Sequence, residues 1–345
     1  MKAALLTALE HLEVKEFETP TAGPGDVVVQ VKACGVCGSD LRTFRYGHAH
    51  VTFPAILGHE FGGVVVEVGE GVQGLLLGDH VVSSPAVPCG YCLECVAGRY
   101  NRCDNLLSIG EDLSGGFAEY VHLPAQTVLR GGVLPIPKEV PFEAATLVEP
   151  LSCVLNGQEL VEVGIGDTVV VIGLGTIGCM HLVMARLRGA RQIIGVEQEP
   201  IRLEVAQRFN ADLYIQVQEQ DPVEAVLRAT GGRGAEVVIV ACPSHEAQKQ
   251  ALAMAAKGGR VSLFGGLPKD NPMVSLNTNL IHYRELFVVG AFGATFSTLR
   301  KAADLVASGA IPADLFISGR FPLEKIGEAF QAAAEPCSLR VVVLP

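Results

Sequence analysis

No apolar run in this sequence reaches the roughly 18 residues that a membrane-crossing helix needs. Cationic side chains are scarce. The 26 Lys and Arg stand against 37 Asp and Glu, giving a formal net charge of −11. A sequence-independent hold on nucleic acid or on an anionic lipid surface is therefore not expected. Charged residues of both signs make up only 18% of the chain, against 49% hydrophobic. That balance excludes a disordered or coiled-coil protein. Internal repeats and low-complexity tracts are also missing. The opening stretch MKAALLTALEHLEVKEF puts acidic residues where a signal peptide would carry its small-residue cleavage site, so a soluble, cytoplasmic protein is expected. At about 150 residues per domain, a chain of 345 residues suggests two domains.

Cysteine is plentiful, with ten residues, and four of them fall within fifteen positions. Cys89, Cys92, Cys95 and Cys103 stand at intervals of three, three and eight. Four thiolates so spaced can close a tetrahedral zinc site with no position left for water, which makes the site structural. Cys34, Cys153, Cys179, Cys242 and Cys337 lie in apolar surroundings and read as small core residues.

The chain changes rhythm along its length. Up to about Leu151, short valine-rich runs such as Val27–Ala33, Val64–Val68 and Asp79–Ser83 alternate with Gly and Pro turns. This predicts a mostly antiparallel β domain with long loops. From about Gly166, fully apolar strands alternate with helical segments. Thr168–Ile172, Gln192–Val196, Leu213–Ile215, Glu236–Val240 and Arg260–Phe264 are the strands. Thr176–Arg188 and Pro200–Phe209 are among the helices. That pattern predicts a parallel sheet covered on both faces. The last fifty or so residues hold two helices and a closing strand, Leu339–Leu344, which could extend the parallel sheet or return to the first domain.

Gly173-Leu-Gly-Thr-Ile-Gly178 follows a valine-rich strand and opens a helix, the context a dinucleotide fingerprint requires. Gly173 permits the tight turn, Gly175 lets the backbone approach a pyrophosphate, and Gly178 lets helix pack on strand. Thr176 and Ile177 complete the loop at the helix N-terminus, which favours phosphate. About twenty residues on, Glu197 ends the next strand, where an acid bonds the adenosine ribose hydroxyls and repels a 2′-phosphate. NAD is thus favoured over NADP. Arg202 could pack on the adenine or touch a phosphate.

A third constellation is dispersed: Cys37 in Cys34-Gly-Val-Cys-Gly-Ser-Asp40, His59 and Glu60 in Gly58-His-Glu-Phe-Gly-Gly63, and Glu149 in Leu147-Val-Glu-Pro150. Each is weak alone. Beside a nucleotide fingerprint and a four-cysteine lobe they gain weight together.

In these motifs, and in their order along the chain, the sequence resembles the zinc-dependent medium-chain dehydrogenase/reductase family over essentially its whole length. The carriers are CGVCGSD, GHEFGGVVVEVGEGV, the four-cysteine lobe, LVEPLSC and VVVIGLGTIG. The Glu of GHE and the Glu-Pro of VEP look more like the sorbitol and threonine dehydrogenase branches than like the simple alcohol dehydrogenases. Those tend to have a cysteine near the position of Glu149.

The resemblance implies an α/β protein in three stretches: a GroES-like, mostly-β catalytic domain over 1–152 with its zinc lobe at 88–104, a Rossmann NAD-binding domain with a doubly wound parallel sheet over 153–292, and a return to the catalytic domain over 293–345. It implies two zinc ions per chain and NAD. Cys37 and His59 match ligands of the catalytic zinc. Glu60 matches a ligand or near-ligand carboxylate, and Glu149 a group that binds the zinc or holds its water. Ser39 matches the hydroxyl that receives the substrate proton, and Asp40 an acid that orients the histidine.

The implied reaction interconverts a secondary alcohol and its ketone by hydride transfer. The substrate would be a polyol, cyclitol or sugar derivative, or alternatively an L-threonine-type amino alcohol or a general secondary alcohol. Zinc-free reductases of the superfamily lack the cysteine lobe and the CGxCGSD–GHE pair. A non-catalytic crystallin-like role fits poorly with two intact sites. The sequence departs from the family in one place: Arg42 stands where many relatives have a proton-relay histidine, and arginine cannot serve as that base. The relay would end on water, or on His48 or His50. Phe44, Tyr46, Phe53, Phe117, Phe292 and Phe296 are candidates for the substrate pocket. A homodimer or homotetramer is expected, with Leu286–Phe292 either pairing across a two-fold axis or forming an ordinary interior strand.

Overall fold

The computed structural model describes residues 1–345. They form two compact units, Met1–Ser152 with Ala294–Pro345, and Cys153–Gly293.

The first unit is built on Val27–Gly35, whose valines are buried while Gln30 and Lys32 stay partly exposed. This strand pairs antiparallel with Glu60–Val68 and with Tyr120–Leu123. His80–Ser83 and Val133–Pro135 extend the sheet on one side. A glycine is needed at Gly63, because a Cβ there would lie 2.2 Å from the Gln30 carbonyl oxygen of the neighbouring strand.

The closing strand, Arg340–Leu344, has its place here. It runs antiparallel to Val27–Gly35, with Val343 opposite Cys34, and parallel to Ile317–Pro322. Apolar pattern alone left that choice open, because a strand buried on both faces reads the same in either sheet. Under the sheet, Phe117, Phe330 and Phe44 pack edge to face, with centroids 5.6 and 5.2 Å apart.

The helix Gly38–Tyr46 is absent from the strand-and-loop reading of this region. It is only nine residues long and is held by Leu41 and Phe44 against the core rather than by its own propensity.

The second unit is a six-stranded parallel sheet. Its strands run in the order Leu213–Gln216, Gln192–Glu197, Thr168–Ile172, Ala235–Val240, Ala255–Leu263, Phe287–Gly290. This is the dinucleotide-binding order, reversing direction between Thr168–Ile172 and Ala235–Val240. The turn after Thr168–Ile172 therefore opens at the crevice where such sheets take their ligands. Two boundaries differ from the sequence pattern by more than one residue. The strand expected at Arg260 begins at Ala255, because Ala255 pairs with Ala235 before the ladder shifts register around Gly258. The helix from Pro200 ends its regular part at Ala206 and closes through a tight turn onto Asn210, at φ 53°.

Candidate active site

Cys37 ends the turn after Val27–Gly35 and caps the helix Gly38–Tyr46, so Ser39 and Asp40 follow in that helix's first turn. His59 and Glu60 come from the start of the adjacent strand, Glu60–Val68. Pairing of the two strands, with Gly35 opposite Glu60, brings the groups together. One ligand atom from each of Cys37, His59 and Glu60 lies within 4.8 Å of the other two.

Asp40 is buried and ties the cluster together. One carboxylate oxygen accepts the Cys37 backbone N–H at 2.9 Å, and the other lies 3.5 Å from His59 Nδ1. Burial works against a charged His59, but the Asp40 carboxylate and the Cys37 sulfur outweigh it and hold the imidazole well above its ordinary pKa. Burial and the nearby Glu60 push the Cys37 thiol up. A cation in the middle of these groups would reverse both tendencies. One sulfur, one imidazole and one carboxylate make a donor set that could hold a metal ion and that suits an open zinc site.

Sequence reasoning missed Arg340. Its guanidinium grips Glu60 with both terminal nitrogens, Nη2 at 3.2 Å from Oε1, and Nη1 also donates to the Val36 carbonyl at 3.2 Å. Both partners are almost wholly buried, 3% and 1% exposed. The signal was a lone cation opening the apolar run Arg-Val-Val-Val-Leu. With Arg340 beside it, the cluster carries one more positive charge than the ligand count implied. Glu149 lies outside the trio, in the first turn of Val148–Leu160, where its carbonyl accepts the Ser152 hydroxyl at 2.5 Å. Its charge adds to those that favour the guanidinium form of Arg340.

Arg42 is exposed. His48 and His50 face acids of another loop: His48 Nδ1 is 3.8 Å from Glu111, and His50 Nδ1 is 3.3 Å from Asp112.

The aromatic candidates do not form one pocket. Phe117 and Phe44 belong to the core cluster with Phe330, and Phe53 packs against it. Phe296 is buried against Tyr100. Tyr46 and Phe292 are exposed. Aromatic identity alone does not separate core from pocket, which is why the sequence could not place them. Of the scattered cysteines, Cys34 and Cys179 are buried, Cys153 and Cys242 are half-buried, and Cys337 is exposed rather than a core residue.

Cys89, Cys92, Cys95 and Cys103 come together with all four sulfurs within 4.8 Å. Cys89 Sγ and Cys95 Sγ are 3.9 Å apart. Zn–S bonds of about 2.3 Å in a tetrahedron require about 3.8 Å. Backbone N–H groups point at the sulfurs: Cys89 N donates to Cys103 Sγ at 3.2 Å, Asn105 N to the same sulfur at 3.4 Å, and Cys95 N to Cys92 Sγ at 3.4 Å. Backbone N–H donation, from Tyr91 above all, lowers the Cys89 thiol to about 6, whereas burial pushes Cys95 up to about 12. The donor set and spacing fit a closed zinc site.

In the second unit, Gly173 has φ 93°, and a Cβ at Gly178 would lie 1.9 Å from the Gly173 carbonyl oxygen. Only glycine fits either position. Thr176 and Ile177 begin the helix Thr176–Leu187. A cavity of about 330 Å³ opens beside this loop, lined by Gly173, Gly175, Glu197, Glu199, Arg202 and Glu246 among others. It lies beside the glycine loop, at the end of the sheet where folds with this strand order take a nucleotide. Glu197 is only 5% exposed. Its Oε2 accepts Leu174 N at 2.7 Å, and its Oε1 accepts Gln198 N at 2.7 Å and Glu199 N at 2.9 Å.

A nucleotide-binding sheet, a three-donor metal cluster and a four-thiol lobe in one chain define the class of zinc-dependent alcohol dehydrogenases. The comparisons agree. Residues 23–138 match the alcohol dehydrogenase GroES-like domain, and residues 176–308 match the zinc-binding dehydrogenase domain. L-threonine 3-dehydrogenase of Bacillus subtilis is 32% identical over 96% of this chain and 94% of its own length. Sorbitol dehydrogenase of the same organism is 31% identical over 100% and 97%. A solved structure of a putative zinc-binding dehydrogenase from Sinorhizobium meliloti, bound to NADP, superposes with a TM-score of 0.93 at 36% identity, covering 100% of this chain and 99% of that one. The chain belongs to the zinc-dependent medium-chain dehydrogenase/reductase family. No helix in it is long and apolar enough to cross a membrane.

Proposed function

We propose that the protein is an NAD-dependent dehydrogenase acting on a secondary alcohol of the polyol, cyclitol or sugar-derivative class, with two zinc ions per chain. The observation that carries the reading is the trio Cys37, His59 and Glu60, backed by Asp40 and Arg340 and followed in the same helix by Ser39. The trio would hold the catalytic zinc, and Cys89, Cys92, Cys95 and Cys103 the structural one. When bound, the catalytic metal supplies a Lewis acid that lowers the cost of removing a hydroxyl proton, and NAD supplies the hydride acceptor. The protein does the positioning. Asp40 fixes the ring of His59, Arg340 holds Glu60 in place, and the Ser39 hydroxyl takes the proton and passes it on. Serine is no base at neutral pH, so water completes the path, Arg42 being unable to. The acidic lining of the cavity beside the glycine loop favours NAD over NADP.

The threonine dehydrogenase relatives support a second reading, an L-threonine-type amino alcohol. Initial rates with NAD on polyols, inositols, amino cyclitols and L-threonine separate the two. A kcat/KM for threonine at least tenfold above every polyol would replace the first reading with the second. The exposed Phe287 on the edge strand Phe287–Gly290 supports a homo-oligomer joined at that edge. Sedimentation should show a dimer or tetramer at micromolar concentration, and a monomer would refute the assembly.

A further inference from the structure

The four thiols of the lobe at 88–104 are ringed by backbone N–H groups, but the lobe has no surplus cation of its own. Its other charged side chains are Glu94, Asp104, Arg99 and Arg102, which cancel. Arg99 is engaged by Glu94, with Nε at 2.6 Å and Nη2 at 2.9 Å, and the charge of Arg102 bears on the same carboxylate. Four thiolates around one divalent ion leave two negative charges uncompensated. Cys89 and Cys92 are only half-buried. Groups just outside the ligands of such a centre tune how well it holds its metal.

A cation reaches the lobe from elsewhere in the sheet unit. Arg130 follows the short helix Ala125–Val128. The chain is pinned beside the lobe on both sides of this arginine. The Thr127 hydroxyl donates to the Ala86 carbonyl at 2.8 Å, and the Gly132 carbonyl accepts the Ser84 N–H at 2.8 Å. The strand Ala86–Val87 ends two residues before Cys89. The guanidinium lies against Gly90, in the turn between Cys89 and Cys92. A Cβ at Gly90 would stand 2.5 Å from Arg130 Nε and closer still to Cζ and Nη2. The Gly90 N–H is itself one of the groups that favour the Cys95 thiolate. Arg130 thus rests on main chain that is hydrogen-bonded to a ligand sulfur. Of its five N–H donors one is used, Nη1 to the Gln126 carbonyl at 3.0 Å, and it has no carboxylate partner. In a chain of net charge −11, a half-buried guanidinium left without an acid is notable.

We infer that Arg130 is the counter-charge of the four-thiol lobe and governs how firmly the lobe keeps its zinc. This rests on the reading of the lobe as the closed zinc site. The effect is one of charge, so an ammonium at the same place would preserve most of it. A neutral side chain of similar length would fill the space and preserve none. The guanidinium is partly exposed, so salt weakens its influence. A contact that only packs the lobe would be indifferent to salt.

The test uses the whole protein with its metal. The labile zinc is stripped by mild chelation. Release of the remaining ion to excess chromogenic chelator is then timed in low salt and in about 0.5 M NaCl. Arg130→Met and Arg130→Gln should release it roughly tenfold faster than the unmutated protein in low salt, the scale of one unit charge near a doubly charged centre. In high salt the gap should narrow to within about threefold. Arg130→Lys should stay within about threefold of the unmutated protein in both. Unchanged release from the neutral variants would overturn the inference. So would an acceleration that salt leaves intact and that Arg130→Lys shares, which is the mark of lost packing. Should one neutral variant fail to fold, the other decides. Metal analysis of the unmutated protein is a separate check on the lobe: a single zinc, all of it labile, refutes the closed site and the counter-charge with it.

Discussion

His181 gives the second unit a built-in sensitivity to acid. The residue is in the helix Thr176–Leu187 and has no exposed surface. The Gln158 amide nitrogen donates to its carbonyl at 2.9 Å and reaches its Nδ1 at 3.3 Å, and the Phe264 ring stands edge-on at 4.8 Å. Nε2 is buried without a partner. Burial alone brings the imidazole down to about 3. In the unfolded chain it titrates near 6.5. Between those values the unfolded state binds the extra proton, so stability is complete above about pH 6.5 and declines as pH falls toward 3. At pH 5 the loss works out at about 2 kcal/mol. The comparison is urea unfolding at pH 7.5 and pH 5.0 for the unmutated protein and for His181→Leu. Every other titrating group is common to both proteins. The unmutated protein should therefore lose about 2 kcal/mol more than the variant over this interval. Equal losses would show that His181 takes up its proton in the folded state, and the argument from burial would fail.

Other outcomes follow from the two metal clusters and from Arg340. After mild chelation, metal analysis should find one zinc retained and activity gone, because the four-thiol lobe is closed and the trio is open; full activity with one zinc lost would contradict this. Cys37→Ser should abolish turnover with little change in melting temperature, whereas Cys92→Ser should mainly destabilise. Arg340→Met leaves Glu60 buried and unpaired and should cost about 3–5 kcal/mol. Adding Glu60→Gln should restore much of that, and a double variant as unstable as the single one would refute the pairing argument. Ser39→Ala should lower kcat at least roughly tenfold, while His48→Ala and His50→Ala should change it little. A large loss in either histidine variant, rescued by imidazole buffer, would move the end of the proton path.

What the sequence made legible was whatever depends on neighbours along the chain. The glycine loop, the cysteine lobe and the alternation of strand and helix are local patterns, and each reads through spacing. Cys37, His59 and Glu60 were legible because their motifs are compact, although it is strand pairing that joins them. Arg340 was not, since its partner Glu60 is 280 residues away and no periodicity links a closing strand to an early one. The bonds of Glu197 were hidden for a similar reason: an acid at a strand end looks the same whether or not three peptide N–H groups also hold it. The nine-residue helix after Cys37 went unseen because tertiary contacts, not propensity, hold it.

The position of Arg340–Leu344 inside the sheet also sets a timetable for biosynthesis. The strand lies between Ile317–Pro322 and Val27–Gly35, so one side of the first unit's sheet stays incomplete until it and Ile317–Pro322 have both left the ribosome. The second unit, Cys153–Gly293, is contiguous and can fold while translation continues. At about 5–20 residues per second, the 280 residues separating Glu60 from Arg340 correspond to roughly 15–60 s. Through that interval the Cys34–Gly35 end of the strand lacks its neighbour, although Val27–Gln30 already pairs with Tyr120–Leu123, and Glu60 has no guanidinium, so the newborn chain passes through a period of exposure to chaperones and to self-association until Arg340–Leu344 is made.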